Sequence, residues 1–185
     1  MPRLLAGLVL MFVTTGIMGA EILSVTASSR HGIYILEFNA VIMADFATVR
    51  EIVTNYNQLH QLSQSILESR DLGIDEAGIT RRELVTETCI LLYCFNAILV
   101  EDVVATGQSL ITTTIIPDRS DFSFGYSYWH LMPESGHTNL RFQSVMEPAF
   151  WIPPVIGPWL IKNWMRDEVR EIIFNIERLT GNAGQ

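Results

Sequence analysis

A long amphipathic stretch closes this chain, and it follows a run of strand-like segments whose apolar face something must cover. From Pro158 onward Ile161, Met165, Val169, Ile172, Ile173, Ile176 and Leu179 recur at helical spacing, while Lys162, Arg166, Asp167, Arg170, Glu171 and Glu177 take much of the opposite face. Such a helix has one stripe to bury, and Gly181 is a suitable stop. Ahead of it lie strand-like segments at 66–74, 79–90, 95–104, 109–116, 122–131 and 138–147, separated by turn-forming residues. Earlier still, Gly32 to Met43 reads as a long first strand and Asp45 as an N-cap. Phe46 to Thr54 reads as a helix, and Tyr56, Leu59, Leu62 and Ile66 as a second short helical stretch. Strands in hairpin order with segregated helices make an α+β domain. The expected architecture is a curved antiparallel sheet of about seven strands, two short helices after the first, and the terminal helix laid over the sheet.

The first twenty residues read as an export signal: Arg3, an apolar run from Leu4, and small residues at Gly16, Gly19 and Ala20 ahead of Glu21. Because the run from Leu4 to Leu23 has about the length that crosses a bilayer, a retained membrane anchor is the alternative. Either reading puts the domain, residues 21–185, in the periplasm or otherwise outside the cytoplasm. That length suits one domain with a sizeable core. A formal net charge of −8 argues against nucleic acid as a partner and against simple electrostatic adhesion to anionic lipid.

Cys89 and Cys94 lie five apart. In one continuous strand their Cα atoms would be about 16 Å apart, too far to bridge. A disulfide therefore requires a turn between them, and two buried thiols are the alternative. Two cysteines and the scattered His31, His60, His130 and His137 do not make a zinc site, so no metal is expected. No nucleophile elbow, phosphate loop or dinucleotide fingerprint is visible. Asp121, Glu147, His130 and His137 are the few candidate acid–base groups, each with an ordinary structural alternative, so no catalytic set is assigned.

Strand parity proposes an interior. Tyr34, Leu36 and Phe38 share one face, Ser123, Gly125, Ser127 and Trp129 another, and Leu140, Phe142, Ser144 and Met146 a third. Small residues beside Trp129 leave volume, and a mostly apolar pocket with a few hydroxyls suits a small molecule. The candidate ligand-contact set is Tyr34, Leu36, Phe38, Gly125, Ser127, Trp129, Leu140, Phe142 and Met146, with Met165 and Val169 from the helix; plain core packing is the alternative for each. The segment from Phe150 to Leu160, rich in proline and tryptophan, reads first as a rigid connector with buried tryptophans. The second reading is a lip touching membrane through Phe150, Trp151 and Ile152.

Val49-Arg-Glu-Ile-Val-Thr-Asn-Tyr56, followed by Leu59 and Leu62, resembles the segment after the first strand in polyketide cyclase-like and coenzyme-Q-binding members of the START-like, or SRPBCC, superfamily. Pro117-Asp-Arg-Ser-Asp-Phe122, Gly125, Trp129, Thr138 and Glu147-Pro-Ala-Phe-Trp-Ile-Pro-Pro154, with Ile156 and Gly157, resemble an exported bacterial branch of it. The resemblance implies a helix-grip fold that binds a lipid, sterol, quinone or polyketide-like molecule between sheet and terminal helix, without a cofactor. A periplasmic carrier or lipid-transfer protein is the expected function, and a cofactor-free cyclase or hydrolase acting on a hydrophobic substrate the alternative.

Overall fold

A computed structural model describes residues 19–90, 93–153 and 157–182. Most of the apolar leader, and Pro154 to Ile156 of the proline-rich segment, lie outside them. The sheet has eight antiparallel strands in the order β1-β2-β8-β7-β6-β5-β4-β3. They are β1 (Glu21–Arg30), β2 (Ile33–Ile42), β3 (Ile66–Ile74), β4 (Thr80–Ile90), β5 (Tyr93–Thr106), β6 (Leu110–Ile115), β7 (Phe122–Glu134) and β8 (His137–Pro148). Helix α1 (Phe46–Thr54) and a single 3₁₀ turn (Leu59–Gln61) follow β2, and α2 (Gly157–Asn182) ends the described chain.

The strand missing from the sequence reading is β1. Its residues are mostly small or polar and it lies at the sheet edge, so it lacks the alternation that marks β2, where Tyr34, Leu36, Phe38, Ala40 and Ile42 are all buried. Its hairpin with β2 turns at His31 and Gly32, both at positive φ (51° and 85°). Leu23 belongs to this strand, so the end of the apolar run that could have spanned a bilayer is sheet. Asp45 caps α1 as expected, its Oδ1 accepting from the Thr48 amide at 3.0 Å. Gly181 does not stop α2, because it lacks the left-handed conformation of a terminating glycine and the helix includes it.

The apolar stripe of α2 is buried at Ile161, Met165, Val169, Ile173 and Ile176, against β1 and β2 on one side and β4 on the other. A second stripe, polar and one turn apart, holds the segment before β3. Trp164 Nε1 donates to Ser65 Oγ (3.3 Å), the Ser65 hydroxyl donates to Glu168 (2.9 Å), the Gln64 amide donates to Glu171 (2.9 Å), and Asn175 Nδ2 donates to the Leu62 carbonyl (3.1 Å). The chain reverses between Cys89 and Cys94, which oppose each other across β4 and β5 with Cα atoms 3.9 Å apart and are joined by a disulfide.

Burial pushes the Glu168 carboxyl above its ordinary value; the Ser63 and Ser65 hydroxyls oppose the shift and Glu171 adds to it. The folded chain therefore holds this proton more tightly than the unfolded chain, and the cost of the buried charge fades as pH falls from the raised value to the ordinary one. Wild type should gain stability relative to Glu168→Gln as urea unfolding is moved from neutral pH down through that window. A stability difference constant with pH would contradict this role for Glu168.

Candidate functional site

The end of β8, the connector after it and the first turn of α2 form one end of the sheet–helix interface. The Ala149 amide donates to the Asp121 carbonyl (2.9 Å), and the Phe150 ring meets Phe122 edge-on at 5.9 Å. A Cβ at Gly157 would fall 2.3 Å from Ile152 Cγ2, so the missing side chain lets α2 start directly on the connector. With Phe150 and Ile152 turned inward, Trp151 is 78% exposed, and Trp159 on α2 is 62% exposed. This corrects the expectation of buried tryptophans in the connector: Trp151 sits between the inward Phe150 and Ile152, and Trp159 lies on the exposed side of α2. Between the lip and the β1–β2 turn opens a cleft of about 510 Å³, with Tyr34 and Glu147 among its walls. Burial raises the Tyr34 hydroxyl pKa, keeping it a neutral donor.

One step inward along β2 from Tyr34 lies Leu36, opposite Ser144; Ser144 faces Ser127 on β7, and Ser127 faces Thr113 on β6. This begins a buried polar row across the inner face. The Thr113 and Ser127 hydroxyls are 2.8 Å apart, and Thr113 donates to Glu101 Oε1 at 2.7 Å. Glu101 Oε2 accepts from Arg82 Nε at 2.8 Å and Nη2 at 2.7 Å. The Arg82 guanidinium lies 5.4 Å from the Tyr56 ring centre, a cation–π contact. Arg82 and Glu101 are only 6% and 4% exposed. Among the described residues, no buried side-chain nitrogen or oxygen lacks a hydrogen-bond partner.

An open antiparallel sheet curled round one long terminal helix is shared with solved structures. A START superfamily protein from Mycobacterium smegmatis superposes with a TM-score of 0.63 at 16% identity, over 80% of this chain and 98% of that one. A STAR-related lipid transfer protein from Xanthomonas axonopodis gives 0.57 at 14% identity, over 86% and 99%. The Zhui aromatase/cyclase from Streptomyces gives 0.53 at 11%, over 82% and 94%. The chain has the START-like fold. No protein-family model matches the sequence, and no curated protein matches it.

Within this START-like sheet the residues singled out from the sequence separate into groups. Tyr34 lines the cleft, and Ser127 belongs to the polar row. Phe38, Trp129 and Phe142 form an aromatic cluster, with centroids 5.0 Å apart for Phe38–Phe142, 4.6 Å for Trp129–Phe142 and 6.5 Å for Phe38–Trp129. Leu36, Leu140, Met165 and Val169 are buried in the same core, and half-buried Met146 packs against it. The space at Gly125 is not open: a Cβ there would fall 2.3 Å from Ile115 Cδ1 and 2.9 Å from the Val145 carbonyl. Ser123 is exposed instead of inward, because a bulge between Phe122 and Phe124 shifts the register and turns Phe122 into the core.

The acid–base candidates of the START-like domain are dispersed. Asp121 accepts from the Ile98 amide (2.7 Å) and staples β5 to the start of β7. Glu147 borders the cleft, His130 lies on the outer face beside Arg141, and His137 pairs with Glu134 in the β7–β8 hairpin. Among the described residues, no cluster of three His, Cys, Asp or Glu could hold a metal. The sequence reading missed Arg82 and Glu101. Their signal was complementary: Arg81-Arg82 on one strand of a hairpin faces Glu101-Asp102 on the other, one pair inward and one outward.

Removing one partner of a buried ion pair strands the other charge. Arg82→Met or Glu101→Leu alone should cost about 3 to 5 kcal/mol of stability, whereas the double substitution should cost less than either. Urea denaturation of the three variants measures this, and additive losses would contradict the pairing.

Proposed function

We propose that the chain is an exported carrier of a hydrophobic small molecule that bears one hydrogen-bonding polar group. The class is a lipid, sterol, quinone or polyketide-like compound. The observation that carries the reading is the buried row Arg82–Glu101–Thr113–Ser127 on a mostly apolar inner face, whose Ser127 end is reached from Tyr34 in the cleft by way of Leu36, the next inward residue of β2, and Ser144 on β8. The apolar body would lie among Tyr34, Met146 and the aromatic cluster, and the polar group would exchange hydrogen bonds with Thr113 and Ser127. A pocket of this composition fixes orientation through a few polar groups while apolar contact supplies most of the affinity.

Several features support release and capture at a membrane outside the cytoplasm. Trp151 stands exposed at the cleft mouth and Trp159 is exposed on the first turn of α2, next to cleft-lining Pro158, as suits a bilayer interface. The export signal and the Cys89–Cys94 bridge both fit an oxidising compartment such as the periplasm. The fold likeness to a STAR-related lipid transfer protein favours a carrier, and the scattered acid–base groups give an enzyme less support.

Native mass spectrometry after mild purification, followed by solvent extraction, should find one class of hydrophobic molecule reproducibly retained. Thr113→Val should reduce that retention roughly fivefold, the worth of a hydrogen bond of about 1 kcal/mol. A protein that reproducibly retains nothing, or unrelated apolar compounds indifferent to Thr113→Val, would overturn the proposal.

A further inference from the structure

The point where residues 1–18 join the domain and the mouth of the cleft lie at opposite ends of the same strand. β1 begins at Glu21, opposite Val41 near the end of β2, and finishes at Arg30, beside the His31–Gly32 turn that lines the cleft under Trp151. From Glu21 to Arg30 an extended chain covers about 30 Å. Helix α2 supplies a second ruler along the same axis. It starts against the cleft at Pro158, and near its other end Glu177 meets the chain just ahead of β1, a Cβ at Gly19 lying 3.5 Å from its Oε2. From Trp159 to Glu177 a helix rises about 27 Å. The two measures agree.

Little chain is available to absorb that distance. Only Gly19 and Ala20 separate residue 18 from β1, a reach of about 7 Å, and Ala20 already packs against the core. We infer that the point where the chain enters the domain, at Gly19 and Ala20, and the tryptophan lip lie at opposite poles, so that a chain still held in a bilayer by its leader turns its mouth away from that bilayer. Loss of the leader is then what lets the lip reach the membrane into which the chain was exported. This rests on the reading of Trp151 and Trp159 as a surface that touches lipid. With a net charge of −8, the lipid surface expected is a zwitterionic one.

The test uses phosphatidylcholine vesicles whose acyl chains carry bromine, which quenches tryptophan on contact. The lip signal is the difference between the chain and its Trp151→Phe/Trp159→Phe variant, whose changes fall on exposed side chains. A chain starting at Glu21 should lose lip emission on brominated vesicles. The full chain, reconstituted through its leader and recovered with the vesicles, should keep lip emission when its own vesicles are brominated and lose it when brominated vesicles are added from outside. Inserting about forty Gly/Ser residues before Glu21, a coil of about 35 Å, should restore quenching by its own vesicles. If the chain starting at Glu21 is never quenched, the lipid-contact reading fails and this inference falls with it. If that chain is quenched and the full chain is quenched equally by its own vesicles, the opposite-pole arrangement alone is wrong.

Discussion

Two helices cover the apolar face of an eight-stranded sheet, the short α1 against β7 and β8 and the long α2 against both ends of the curl. That is possible only because the sheet curls until β4 reaches the same helix that β1 and β2 already touch. α2 meets this demand with two stripes. The apolar one, from Ile161 to Ile176, fills the grip, and the polar one, from Trp164 to Asn175, takes hold of the Leu62–Ser65 segment where the sheet begins its return. Between the strands that α2 touches, α1 packs on β7 and β8 with Val49 and Val53 buried, and the inner face carries the aromatic cluster of Phe38, Trp129 and Phe142 and the polar row ending at Arg82.

Burying Arg82 against Glu101 is not a route to stability. Well-packed apolar residues in place of a buried ion pair are often neutral or stabilising, since the attraction between the charges is offset by taking both out of water. On the proposed reading, a row in which Arg82, Glu101, Thr113 and Ser127 satisfy one another within a mostly apolar interior is kept for the polar group of a ligand. The hydroxyls are the exchangeable members. Thr113 and Ser127 can reorient toward a ligand oxygen without leaving a charge unpaired, whereas Glu101 remains held by Arg82 throughout.

The architecture was legible because its signals repeat. The stripe of α2, the Asp45 cap and the alternation of β2 each recur over a whole element, and local composition reports them. Edge strand β1 was not legible, because an exposed edge needs little apolar alternation and takes its order from backbone pairing with β2. Parity assigned the inner face correctly along β2 and most of β8, but failed at Ser123, where one extra residue in a bulge reverses the alternation. Arg82 and Glu101 were hidden for a related reason: neighbouring like charges leave it open which one points inward until the register is known. Pairing of Cys89 with Cys94 supplies that register and carries it along the hairpin to Arg82 opposite Glu101. At Gly125 the small residue signalled a close approach by Ile115 where the sequence suggested open space, a distinction that lies in the neighbour.

The central claim is that a hydrophobic molecule lies between sheet and helix with its polar end on the buried row and its apolar end toward the mouth. Anomalous diffraction from crystals grown with a fatty alcohol brominated at its far end locates both ends at once. The account predicts a bromine peak in the cleft beside Tyr34 and Trp151, with the alcohol oxygen within hydrogen-bond distance of Thr113 or Ser127. Bromine found only on the outer face of the sheet, or an oxygen at the mouth with bromine at the polar row, would contradict it.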